Sequence, residues 1–181
     1  ATDRAANALS RVAEDDPSQL QLYLRNLPDW SEAYDDILEM YVEACLEGST
    51  RQLRQVANTL RKLEGRGAEI PESSWRSVLI SARQQLLRCN LAAEDGRGVA
   101  DECLNTITEL WEERPELRED IVVDRAVDLV KGYRTGEHPL PVSAWNLFGV
   151  LARRSASHET PPSTFEDWES WARSRVDGIC S

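Results

Sequence analysis

Apolar residues recur at three- and four-residue intervals along almost the whole chain, and the strict alternation of a half-buried strand is missing. Around residues 31–47 the series is Tyr34, Ile37, Leu38, Tyr41 and Cys45; around 51–64 it is Leu53, Val56, Ala57, Leu60 and Leu63. Both place one apolar face on a helix, so the pattern predicts an all-α fold. Breakers and caps divide it into helices at about 2–14, 17–27, 30–47, 51–64, 71–92, 98–113, 115–132, 141–154 and 164–177. Asp16-Pro17-Ser18-Gln19 reads as an N-cap, a proline at the first helical position and a glutamine reaching back, and Ser163 with Glu166 reads the same way. Gly48, Gly65, Gly96 and Gly132 stand where helices are expected to stop. "SASHETPPS" (155–163) reads as a flexible excursion.

Two internal similarities shape the expected architecture. A shift of 70 residues aligns "PESSWRSVLISAR" (71–83) with "PVSAWNLFGVLAR" (141–153), matching Pro71 with Pro141, Trp75 with Trp145 and Arg83 with Arg153. A shift of 98 superposes the apolar and acidic positions of 5–17 on those of 103–115, with Pro17 on Pro115. The two shifts share no common period. Together they predict about eight or nine helices in stacked antiparallel hairpins, an irregular helical-repeat-like array within a single domain spanning 1–181.

The turn pattern "ALSRVAEDDPSQL" (8–20), an apolar helix ending in acids and then a proline opening the next helix, resembles the inter-helix turn of HEAT and armadillo-type repeats, and "LWEERPEL" (110–117) is similar. The resemblance covers about a quarter of the chain. It implies a curved stack of helix pairs serving as a protein-binding scaffold.

Length and composition narrow the classes. At 181 residues the chain can bury roughly 70% of the surface its unfolded form exposes. No apolar run approaches the ~20 residues of a membrane span, and the segment "ATDRAANALS" lacks the apolar stretch of a secretory signal, so a cytoplasmic, non-membrane protein is expected. Cys45, Cys89, Cys103 and Cys180 lack ligand spacing, and the first three fall on apolar helical positions as small hydrophobes. Basic residues are 19 Arg and 2 Lys against 32 acids, a balance that suits a GC-rich genome or a halophilic cytoplasm.

Searching for chemistry gives little. No acid stands three positions before His138 or His158, so a carboxylate–histidine metal motif is absent from both, and they read as solvated loop residues. Asp35, Glu39, Glu43 and Glu47 step by four along one helix and read as a solvated stripe opposite its core face. No Gly-x-Ser-x-Gly elbow occurs, and "EGRG" and "DGRG" lack the remainder of a phosphate loop. No cofactor, metal or catalytic residue is assigned. Trp75 and Trp145 read as core anchors, and Trp168 with Trp171 as the closure of the stack's end.

Charge is the exception. In a chain of net charge −11, "TRQLRQVANTLRKLEGRG" (50–67) holds five cations and one acid. Residues 1–50 carry −8, 51–88 carry +5, 89–128 carry −8 and 129–181 carry none. On a helical wheel Arg51, Arg54, Asn58, Arg61 and Lys62 lie opposite the apolar series, and Arg66 follows at the helix end. Two explanations compete: the block offsets acidic neighbours within the fold, or it docks a partner, helped by Arg76, Arg83 or Arg88. The expected function is a non-catalytic protein–protein adaptor or scaffold, its partner an acidic protein or a second copy of the chain. The alternative is a nucleic-acid-associated accessory protein using the basic face of 51–88, which the net negative charge disfavours.

Overall fold

A computed structural model describes residues 11–12, 16–27, 33–47, 50–117, 121–154 and 167–180; the side chains of Pro17, Thr50, Arg51, Ile179 and Cys180 fall outside that description. Among the described residues all regular structure is helical, in eight helices: α1 (Pro17–Asn26), α2 (Tyr34–Leu46), α3 (Thr50–Glu64), α4 (Glu72–Arg88), α5 (Glu94–Glu113), α6 (Val123–Arg134), α7 (Val142–Arg154) and α8 (Trp168–Cys180). The expected helix at 2–14, the Ser163–Glu166 cap, Gly48, the 155–163 excursion and His158 lie outside the described residues, apart from helical Arg11 and Val12. The chain divides into two compact units, residues 1–81 and 82–181, and the boundary falls inside α4.

In the first unit, α1, α2 and α3 pack pairwise. Each contributes the apolar stripe its sequence spacing requires: Leu20 and Leu24 from α1; Ile37, Leu38 and Tyr41 from α2; Leu53, Val56 and Leu60 from α3. One polar group sits among them. The buried Thr59 hydroxyl accepts hydrogen bonds from Gln21 Nε2 at 2.7 Å and Tyr41 Oη at 3.1 Å, so a single side chain of α3 ties all three helices together. The start of α4 adds buried Trp75 and Val78, and Ser81 Oγ donates to the carbonyl of Leu46 at the end of α2.

The second unit is built around α5, which packs chiefly on α7; α6 and α8 pack on α7 and on each other. Arginines close helix ends here. Arg125 Nη2 donates to the carbonyls of Leu87 and Cys89 at 2.8 and 3.3 Å, where α4 ends, and Arg154 donates to the carbonyl of Trp111 near the end of α5. Cations at these carbonyl-rich ends are favoured by the helix dipole. Trp168 of α8 meets Trp145 edge-on at 5.5 Å and Phe148 at 5.0 Å, fastening α8 to α7 through aromatic contacts.

Several boundaries depart from the periodicity. The first-turn cap of α1 forms as read, with Ser18 N–H donating to Asp16 Oδ1 at 3.1 Å. Helices α3 and α6 end on Gly67 and Gly136, with φ of +94° and +80°, rather than on Gly65 and Gly132. In both turns the residue after the glycine donates back five positions, Ala68 to Leu63 and Glu137 to Gly132, and the glycine itself donates back three. This Schellman geometry needs a left-handed residue at that place, which glycine supplies without strain. Gly132 instead lies buried inside α6, where a Cβ would come within 2.6 Å of His138 Nε2.

Gly96 does not stop a helix either. It lies in the first turn of α5, which begins at Glu94 rather than at 98, and a Cβ there would overlap the carbonyl of Asn90. The expected helix at 115–132 starts only at Val123. Arg114 leaves the helical region at φ −130°, and the β-branched run Ile121-Val122-Val123 favours an extended entry. Pro71 and Pro141 each precede a helix, α4 and α7, that follows a Schellman turn, so the 70-residue similarity has a local structural counterpart.

Candidate interaction surface

Among the described helices, α3 has the sharpest division of polar and apolar positions. Leu53, Val56, Ala57, Leu60 and Leu63 are at most 3% exposed, while Arg54, Asn58, Lys62 and Arg66 are exposed on the other side. Four-residue steps set Arg54, Asn58 and Lys62 roughly 6 Å apart along the axis, and Arg66 continues the row on the Schellman turn. Arg61 is half-buried beside them and donates from Nη1 to Asn58 Oδ1 at 3.0 Å. The side chain of Arg51 is outside the described residues. Of the auxiliary arginines, Arg88 is exposed, Arg83 is half-buried, and Arg76 pairs with Glu72 one turn earlier.

A row of opposite sign occupies α2. Asp35, Glu39, Glu43 and Glu47 are all exposed, as the wheel indicated, with exposed Asp36 beside them, but Asp35, Glu39 and Glu43 also form the wall of a groove. This groove, about 230 Å³, runs between α2 and the start of α4, lined by Asp35, Leu38, Glu39, Val42 and Glu43 on one side and by Pro71, Ser73, Ser74 and Ser77 on the other. Ser74 is only 8% exposed, and its hydroxyl meets no hydrogen-bonding partner among the described residues. The stripe was visible in the sequence. Its opposite wall, some thirty residues further along the chain, carries no motif that would connect it to α2.

The second unit holds a groove of about 270 Å³ lined in part by Glu94, Arg97, Asp101 and His138. Its polar groups are largely engaged with one another or with the backbone: Ser143 donates to Asp101, Arg97 Nη1 donates to the carbonyls of Leu91 and Ala92, and His138 Nδ1 lies 2.8 Å from the carbonyl of Pro139. Ser143 therefore spends its proton on a carboxylate rather than on an imidazole, unlike an activated nucleophile. His138, read as a solvated loop residue, is half-buried against Gly132.

The thiols are quiet. Burial pushes Cys103 up to about 12 and raises Cys45 and Cys89, which holds all three in the unreactive protonated form at neutral pH. Cys45 and Cys103 are buried as small hydrophobes, and Cys89 is half-buried with its thiol 2.9 Å from the carbonyl of Leu86. Trp75 is buried as expected of an anchor, whereas its counterpart Trp145 is half-buried in the aromatic cluster of α7 and α8.

Among the described residues no three His, Cys, Asp or Glu side chains group closely enough to hold a metal ion, and no helix is long and apolar enough to cross a membrane. No family model, curated protein or solved structure matches the chain.

Proposed function

We propose that the protein is a non-catalytic interaction adaptor whose α3 face, Arg54, Asn58, Arg61, Lys62 and Arg66 with Arg51 preceding them, docks an acidic protein surface. The observation that carries this reading is the division of α3 itself. Its apolar side is fully used in the core, and its cations are concentrated outward on one ridge of a strongly acidic molecule. Cations dispersed for solubility would not be segregated in this way. The helix pairs are taken as a scaffold of the HEAT and armadillo kind on the strength of the turn at 8–20; at 110–117 Pro115 does not open the next helix. A cytoplasmic setting, also part of the proposal, is supported by free Cys45, Cys89 and Cys103.

Fluorescence anisotropy with a labelled poly-glutamate peptide tests the docking face. Binding should weaken at least about tenfold in Arg54→Glu/Lys62→Glu/Arg66→Glu, and also fall steeply as salt rises toward ~1 M, where the Debye length shrinks to about 3 Å. Equal binding by the wild type and the triple variant would refute the reading. Tighter binding of a single-stranded oligonucleotide than of the peptide, lost in the same variant, would replace the acidic protein with nucleic acid as the partner.

A further inference from the structure

We infer that the acidic groove between α2 and α4 receives the basic ridge of α3 from a second copy of the chain. The inference rests on the reading of α3 as a docking face and names both its partner and the receiving site. Asp35, Glu39 and Glu43 take no ion pair or hydrogen bond from a described side chain, and neither do Lys62 and Arg66. These three carboxylates and two cations, of opposite sign, lie within one unit.

The rows also match in pitch. Asp35, Glu39 and Glu43, followed by Glu47 just past the helix end, step by four residues; so do Arg54, Asn58 and Lys62, followed by Arg66 just past its own. Each step is about 6 Å of helix rise, so Asp35 and Glu43 on one helix, and Arg54 and Lys62 on the other, are spaced alike at about 12 Å along the axis.

The groove suits the shape of the incoming side chains. Lysine and arginine carry an apolar stem and a charged head. Half-buried Pro71 offers the stem an apolar surface, the three carboxylates accept from the head, and the hydroxyl of Ser74 provides a further, otherwise unused acceptor. No residue of α3 lines the groove, so one copy can offer its groove and its ridge to two different neighbours. The contact is heterologous, and it propagates as a ring or an open chain.

Analytical ultracentrifugation of the full chain, with three proteins, tests this. One variant carries Arg54→Glu, Lys62→Glu and Arg66→Glu; the other carries Asp35→Lys, Glu39→Lys and Glu43→Lys. Far-UV circular dichroism verifies the helices, and Glu39→Gln/Glu43→Gln replaces the second variant if it misfolds. At low ionic strength the wild type should sediment above its 20.5 kDa monomer mass in a concentration-dependent manner and return to monomer at ~1 M salt. Each variant alone should remain monomeric. The two charge-reversed variants mixed together should associate, because each then meets the opposite charge; Ser74→Ala should weaken wild-type association by about threefold.

A wild type monomeric at all accessible concentrations overturns the inference, as does undiminished association of either variant alone. A monomeric wild type whose α3 variant still loses the poly-glutamate peptide overturns only the second copy as partner. Self-association abolished by that variant with peptide binding intact supports the inference and overturns the more general docking reading.

Discussion

Replacing Leu60 by alanine should cost far more stability than replacing Lys62, two residues away on the same helix. Leu60 is fully buried, and its neighbours on the core face, Val56, Ala57 and Leu63, are themselves at most 3% exposed, so the space left by three missing carbons has no solvent to refill it. Lost transfer free energy and the residual cavity together give about 3–4 kcal/mol. Lys62 is exposed, and alanine is an equally good helix former there, so Lys62→Ala should change stability by less than about 0.5 kcal/mol. Urea denaturation followed by circular dichroism measures both. With a slope of about 2 kcal/mol/M, Leu60→Ala should lower the midpoint by roughly 1.5–2 M while Lys62→Ala leaves it in place. Hydrogen exchange at the α3 amides localises the loss to the first unit. Comparable losses in the two variants would mean that α3 is not oriented with its cations outward.

Two further outcomes follow from packing and burial. Gly96→Ala should destabilise by about 1–3 kcal/mol, because the added methyl overlaps the Asn90 carbonyl and moves backbone, whereas Gly98→Ala, with open space at its Cβ, should be neutral or stabilising by up to ~1 kcal/mol in thermal melts. Burial pushes Tyr41 from 10.0 up to about 12 and Cys103 from 9.0 up to about 12, so folding favours their protonated forms. That stability is complete below pH 9 and is lost as pH rises through the folded values. Urea midpoints should therefore hold up to pH 9 and fall toward pH 12, at about 1.4 kcal/mol per pH unit for each group, and Tyr41→Phe should flatten the part of the fall above pH 10.

Local chemistry was legible in the sequence wherever one stretch of chain decides the outcome. The Asp16 cap, the inward series of α2 and α3, and the exposure of Arg54, Asn58 and Lys62 all follow from spacing and side-chain type within a few residues. Boundaries decided by backbone geometry were not legible. Gly65 and Gly67 are equivalent on paper, and the Schellman hydrogen bonds alone select Gly67. Gly96 reads as a breaker until the carbonyl of Asn90 is seen against it. Nor does the stretch after Pro115 announce that its helix waits until Val123. The receiving groove escaped for a related reason: carboxylates at 35, 39 and 43 look like a solvated stripe, and only folding sets Ser74 and Ser77 across from them.

Carbodiimide coupling tests the docking of copies most directly, because it joins lysine amines to carboxylates in contact and the chain has only two lysines, Lys62 and Lys131. Lys131 Nζ lies 4.0 Å from Glu169 Oε2 within one chain and serves as the internal control. In an equimolar mixture of ¹⁴N- and ¹⁵N-labelled protein at low salt, peptides linking Lys62 to Glu39 or Glu43 should appear with one label on each side, while the Lys131–Glu169 link stays within a single label. Recovery of the Lys131–Glu169 link with no mixed-label product at Lys62 would contradict the account.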